Sequence, residues 1–209
     1  LRLHAHKGVL RNMRGGHVAL SLRHCDTEGA VRDFVLGNRA FGMEGSGLNL
    51  SLERSQMRGR RRFIRFRQTY AGIPVFAANV VVQIDQGKGV EYISSNAVTE
   101  VELDDARFAT GVPRLSDSEV IALLISTDPD IDLVGAPELM FYSPEIVGQS
   151  GPVSLVWQLK TSSEVLLVNA HDGAHVLRYP LQTSLLERRI YDLHCQRNWD
   201  WTNLAREEG

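Results

Sequence analysis

Apolar spacing divides the chain into helical and strand-like stretches. Residues 1–24 carry no clear period; His4-Ala5-His6, Gly15-Gly16 and His17 read as a loop or a frayed first strand. From Asp26 the spacing turns helical. Val31, Phe34, Val35 and Phe41 form an apolar stripe, with Asp26 or Thr27 as N-cap and Gly42 as the stop. After a turn over 42–47, residues 48–52 and 62–70 read as strands. Pro74 opens a third, Val-rich over 75–84; residues 85–89 make a hairpin turn and 90–95 return. The first half therefore predicts a helix followed by an antiparallel meander.

Residues 101–114 are acidic and turn-rich, with Asp104-Asp105 and Pro113, and read as a linker. Ser116 and Glu119 then stand three apart, as a capping box requires, ahead of Val120, Ile121, Leu123 and Leu124. This second helix ends before Asp128-Pro129. Strands follow at 138–143 and 153–160, the latter with Val153, Leu155, Trp157 and Leu159 on one face. Two more, 164–170 and 174–179, flank the turn His171-Asp172-Gly173. The second half repeats the grammar of the first. The expected fold is α+β: two tandem modules, each a helix packed on an antiparallel sheet. Arg188 to Asp192 reads as one more strand, and the remainder to Gly209 has no obvious packing partner. With Leu1 at its start, the sequence is expected to be a piece of a longer precursor whose signal peptide lies outside it.

Composition narrows the classes. With 43% apolar and 23% charged residues over 209 positions, the chain has enough material for one large or two small cores. It is neither collagen-like nor low-complexity. No apolar run reaches the roughly 18–20 residues of a membrane span, so no membrane partner is expected. The two cysteines, Cys25 and Cys195, cannot build a disulfide framework or a cysteine zinc site; whether they pair with each other is open.

Charge is unevenly spread. Residues 1–67 hold fourteen basic and five acidic side chains, net +9; residues 68–209 hold nine and twenty, net −11. The two parts are expected to attract each other or to face different partners. The densest basic run holds Arg54, Arg58, Arg60, Arg61, Arg62, Arg65 and Arg67. Aromatic interleaving is poor and the whole chain is slightly acidic, so nucleic acid is not expected. An arginine-bearing solvated strand face fits better, and an acidic protein partner stays open.

Catalytic signatures are missing. His171 and His175 have the i, i+4 spacing of a zinc helix, but Asp172-Gly173 between them is a hairpin signal and the intervening Glu is absent. His4 and His6 lie two apart near the start of the chain. Neither pair makes a metal set, so no metal and no catalytic residue is expected in this chain. There is no G-x-S-x-G and no phosphate loop; Asp104 and Asp105 are adjacent rather than facing.

The stretch 66–82 carries the most information. It reads Phe-Arg-Gln-Thr-Tyr-Ala-Gly-Ile-Pro-Val-Phe-Ala-Ala-Asn-Val-Val-Val. Physically it is a strand, a turn permitted by Gly72, and a second strand entered through Pro74. Its core, Gln68, Tyr70, Gly72, Pro74, Val75 and Phe76, closely resembles the signature of the fungalysin/thermolysin propeptide domain. The second helix, the strands near Met140-Phe141-Tyr142 and Trp157-Gln158-Leu159, and 168–173 look like the PepSY half of the same prodomain. In 168–173 that half usually reads V-D-A-x-T-G; Asn169 and Asp172 depart from it. Residues 189–192 and 204–209 look like the first strands of a thermolysin-like (M4) catalytic domain, with Trp201-Thr202-Asn203 where Leu-Pro-Gly is usual.

The resemblance implies an organisation: an extension over 1–25, a propeptide-like domain over 26–100, a linker over 101–114, a PepSY-like domain over 115–180, and a processing region with the start of a protease domain over 181–209. It implies the propeptide of a secreted zinc metalloendopeptidase, acting as intramolecular chaperone and inhibitor until autoprocessing. The six signature residues are architectural. Leu181, Leu185 and Leu186 are candidate processing positions, because enzymes of this family cut on the amino side of such residues. The implied partner is the cognate catalytic domain, where zinc and calcium would reside. The alternative is a stand-alone PepSY-type binding module that inhibits a separate protease.

Overall fold

The structure is a computed structural model that describes residues 2–6, 9–18, 27–43, 45, 47–85, 88–99, 102–103 and 112–181. In chain order its elements are β1 (Arg2–His6), β2 (Val9–Val18), α1 (Thr27–Leu36), β3 (Leu48–Arg58), β4 (Arg61–Tyr70), β5 (Ile73–Asp85), β6 (Gly89–Ser95), α2 (Asp117–Thr127), β7 (Glu138–Tyr142), β8 (Ser154–Lys160), β9 (Glu164–Asn169) and β10 (His175–Pro180). Short 3-10 turns occupy Arg39–Phe41 and Pro144–Val147.

The expected elements form largely where periodicity placed them. The first helix ends at Leu36, short of the expected stop; Phe41 lies in the separate 3-10 turn Arg39–Phe41, which Asn38 caps at its start and Gly42 ends in the left-handed conformation, φ +64°. Ser116 and Glu119 close the capping box reciprocally at the start of α2. Val31 and Val35 of α1 are fully buried against a sheet face made of Ile64, Phe66, Val80, Val82, Val90 and Ile93. Burying each such side chain contributes about 1.5–3 kcal/mol. In the second half, α2 presents Val120 and Leu124 to Leu159, Leu166 and Val168. The indole N–H of Trp157 donates to the Leu115 carbonyl at 2.8 Å and ties the helix start to the sheet.

The α+β class stands, but the two halves do not own separate sheets. The strands run in the order β1-β2-β6-β5-β7-β8-β9-β10, with β4 also on β5 and β3 on β4. The link is β5, which pairs antiparallel with β4 and β6 and, at Val75, parallel with Phe141 of β7. Residues 1–25 also do more than extend the first module. β1 and β2 form a hairpin, and β2 pairs with β6, placing Met13 in the core. β3 runs on to Arg58, six residues past the expected end. β8 buries both faces: Val156 and Gln158 are covered as well as Leu155 and Leu159. Cys25, Cys195, Leu185, Leu186, the strand expected near residue 190 and most of the 101–114 linker lie outside the described residues.

Candidate functional site

The six signature residues converge on the joint between the halves. Tyr70 and Ile73 face each other across a two-residue turn whose central residues both have positive φ, Ala71 at +48° and Gly72 at +82°. That is the type I′ pattern matching the twist of paired strands. Open space surrounds a Cβ built on Gly72, so glycine is required there by backbone conformation alone. The Ala71 N–H donates to the Gly47 carbonyl at 2.8 Å, and a Cβ on Gly47 would fall 2.5 Å from the Tyr70 ring.

Beyond the turn β5 swells. Pro74 pairs with Thr69, and the next β4 pairing is Asn79 with Arg67. Four residues of β5, 75 to 78, therefore stand opposite the single Gln68, a large bulge that bends the strand. Val75 leaves β4 for Phe141, while Phe76 packs on Tyr142 and Tyr179, each ring pair 5.9 Å between centroids. The Tyr70 ring meets Phe141 edge-on at 5.8 Å. The bulge is held by polar groups. Ala77 takes φ +53°, and its carbonyl accepts from the side-chain amides of Asn79 (3.0 Å) and Asn96 (2.8 Å). The Asn79 N–H donates to Oδ1 of Asn96 at 2.7 Å.

Gln68, facing the bulge, is fully buried. Its Nε2 donates to the Val98 carbonyl at 2.7 Å and its Oε1 accepts from the Val98 N–H at 2.8 Å. One side-chain amide thus replaces the strand partner that Val98 lacks. Asn79, Asn96, Val98, Phe141 and Tyr142 complete this joint; Phe141 and Tyr142 were noted only as part of a strand, and the other three were not singled out from the sequence. A polar Asn79 inside a Val-rich strand was the visible signal for one of them. Among the described residues the buried Tyr142 hydroxyl has no hydrogen-bond partner, and burial pushes its pKa up, as it does for Tyr179.

The arginine run lies on β3, β4 and the turn between them. Arg61, Phe63, Arg65 and Arg67 occupy the face of β4 opposite the buried Ile64, Phe66 and Gln68. Most are paired: Arg60 with Asp85 at 3.9 Å, Arg61 with Glu91 at 3.0 Å, Arg65 with Glu53 at 2.9 Å and Arg67 with Glu138 at 3.0 Å. Three of these acids lie beyond residue 67, so part of the charge asymmetry is satisfied inside the fold. Arg62 pairs with Glu28 of α1 at 2.6 Å. That carboxyl lies below its ordinary pKa, chiefly through the Ser55 hydroxyl donating to it, then through Arg62.

A cleft of about 350 Å³ flanks the joint, lined by Arg11, Asn96, Glu102, Ser143 and Glu145 among others. Arg11 donates across it to the Ala97 carbonyl. Among the described residues no three His, Cys, Asp or Glu side chains converge as a metal set. His171 sits in the β9–β10 turn and His175 in β10, without the helical geometry a zinc pair needs. Leu181 is half exposed, and its N–H donates to the Ser163 carbonyl at 2.7 Å.

This geometry gives a reason for one sequence similarity. Residues 61–96 match the Fungalysin/Thermolysin Propeptide Motif. The matched segment is β4, β5 and β6 with the turn and bulge between them, so it contains all six signature residues. It marks a propeptide element of the fungalysin/thermolysin protease type, and such an element implies association with a protease catalytic domain. No curated protein matches the chain. Among solved structures, the Bacillus megaterium YpeB C-terminal domain is similar at 12% identity with a TM-score of 0.37, covering 81% of this chain and 68% of that one. No helix of the described residues is long and apolar enough to cross a membrane.

Proposed function

We propose that the chain is the prodomain region of a secreted thermolysin-like zinc metalloendopeptidase precursor. It assists folding of the protease domain and keeps it inactive until autoprocessing. The observation that carries this reading is the Gln68–Phe76 signature, matched as a propeptide motif and built as a joint that fixes one half of the fold to the other. A prodomain that templates another domain must itself be rigid, and a buried amide clamp with an aromatic seam supplies that rigidity. It stabilises the native enzyme by binding it in preference to the unfolded chain, and covalent tethering raises the effective concentration.

In this reading 26–100 is the propeptide-like domain, 115–180 the PepSY-like domain, and Leu181, Leu185 and Leu186 belong to the segment that is cut. Zinc and calcium belong to the protease domain; the described residues here offer no set of ligands that fits either. The test is the coding sequence beyond codon 209. An in-frame His-Glu-x-x-His within the next few hundred codons supports the reading. A stop codon with no such motif overturns it in favour of a stand-alone inhibitor.

A further inference from the structure

The two helices meet solvent differently. α1 turns Arg32 and Asp33 outward, both exposed. α2 contains no lysine or arginine, and its residues Val120 to Ile125 are apolar without interruption, so apolar side chains point all round it. Of these only Val120 and Leu124 are fully buried, against Leu159, Leu166 and Val168, with Ile121 partly covered beside them. Ala122, Leu123 and Ile125 are exposed, Leu123 at 41% and Ile125 at 46%. A helix apolar on every side is ordinarily covered on every side; α2 is covered on one. The hydroxyls beside these residues do not wet the face. Ser126 and Thr127 both donate to the Leu123 carbonyl, at 2.7 and 3.0 Å, Ser118 bonds the Ser116 hydroxyl at 3.1 Å, and Glu119 is spent on the capping box.

Acidic groups rim this face. Asp117 lies in the first turn, Asp128, Asp130 and Asp132 follow the last turn, and Asp172 lies in the β9–β10 turn. That turn is adjacent: a Cβ on Gly173 would fall 2.3 Å from Leu123. All five aspartates are exposed, and among the described residues none forms an ion pair. Cations are fewer. Arg178 is held by Glu164, and Lys160 stands opposite Val165, on the sheet face away from α2. Arg114, exposed just before the helix, is outnumbered.

We infer that the outward face of α2 docks an amphipathic helix of a partner protein, with an apolar stripe to cover Ala122, Leu123 and Ile125 and lysine or arginine at its ends to meet the aspartates. Burial of apolar side chains supplies the affinity, and the charges supply orientation and choice of partner. A helix fits better than a strand because α2 has no open backbone edge. An extended segment laid on it would leave its own N–H and C=O groups unpaired, whereas a helix brings them already bonded. The eleven residues of α2 span about 16 Å, so the occupant needs about three to four turns. A second copy of this chain does not fit through α2 itself, because pairing the helices in either direction sets Asp117 and Asp128 against aspartates of the other copy. An anionic lipid surface is repelled by the same rim. That the docked helix belongs to the protease domain rests on the proposed function; the chemistry of the face does not.

The test uses the full 209-residue chain and a synthetic helical probe, acetyl-Lys-Lys-Leu-Ala-Gln-Leu-Leu-Ala-Gln-Leu-Ala-Gln-Leu-Lys-Lys-amide, with a Lys→Glu version and phosphatidylglycerol vesicles as comparisons. The basic peptide should bind saturably at low salt and shift the methyl resonances of Leu123 and Ile125. The Glu peptide should bind at least tenfold more weakly. Ala122→Lys sets a long cation in the middle of the face at an exposed helical position; it should lose at least tenfold in affinity with an unchanged melting temperature. Asp128→Asn/Asp130→Asn/Asp132→Asn should bind more weakly and with a shallower salt dependence. Equal binding of both peptides, no shift at Leu123 and Ile125, tighter binding to the vesicles, or a dimer of the chain that Ala122→Lys abolishes would overturn the inference. Failure of the protease reading alone would leave the peptide result standing and appear only in the coding sequence.

Discussion

Replacing Gln68 by Leu separates the amide clamp from the packing around it. Leucine fills most of the same volume, so the cavity cost is small. The Val98 N–H and C=O, bonded at 2.8 and 2.7 Å in a residue only 4% exposed, both lose their partner. Each buried unsatisfied group costs about 1–3 kcal/mol, so the variant should lose about 2–6 kcal/mol. For a chain of this size that lowers the melting temperature by roughly 5–15 °C. Gln68→Glu adds a signature that packing cannot mimic. One oxygen can still accept from Val98 N–H, but the other faces the Val98 carbonyl and suits it only when protonated. The folded state thus holds the carboxyl above its unfolded pKa of about 4.3. The folded form then binds more protons than the unfolded one, so the variant is closest to wild type below about pH 4 and loses stability as pH rises through the folded pKa. The assay is thermal unfolding of wild type and both variants from pH 4 to 7. A Gln68→Leu midpoint within 2 °C of wild type, or a Gln68→Glu deficit that does not grow with pH, would refute the clamp.

Three further outcomes follow from the same geometry. Gly72→Val should cost about 2 kcal/mol because φ is +82°, whereas Gly72→Asn should cost less than about 1 kcal/mol; equal melting points for glycine and valine would contradict the turn. The Glu28 carboxyl is held low, so its contribution is present above the unfolded pKa and lost as pH falls through the lower folded value; urea midpoints should show wild type losing more stability than Glu28→Gln between pH 6 and pH 3. Cleavage of the precursor should fall between Leu177 and Arg188, read by sequencing the mature N-terminus. A mature start after Tyr191, or one retaining Trp157, excludes that placement.

What the sequence revealed follows from how each element is buried. Helices α1 and α2 were legible because their apolar stripes are local, and for α2 because its capping box is local too. The strands of the meander were legible where one face is covered, as in β4, whose buried Ile64, Phe66, Gln68 and Tyr70 alternate strictly. The extension of β3 to Arg58 was not, because an edge strand exposed on both faces has no alternation to read. β2 was obscured by Gly15-Gly16, although its backbone pairs with β6. The β5 bulge was invisible for another reason: it turns on Ala77 at φ +53°, a position without the glycine that usually signals such a conformation. The parallel contact of Val75 with Phe141 joins residues 66 apart, beyond any local pattern. The signature stretch was recognised as informative before its role was visible; the structure assigns it to the joint.

The most direct measurement is refolding of the denatured protease domain that the proposed function attaches to this chain, with and without the 209-residue chain added in equimolar amount, followed by peptidase activity after the chain is removed. The account predicts substantial recovery with the chain, little without it, and reduced recovery with Gln68→Leu. Equal activity recovered in its absence would contradict the prodomain assignment.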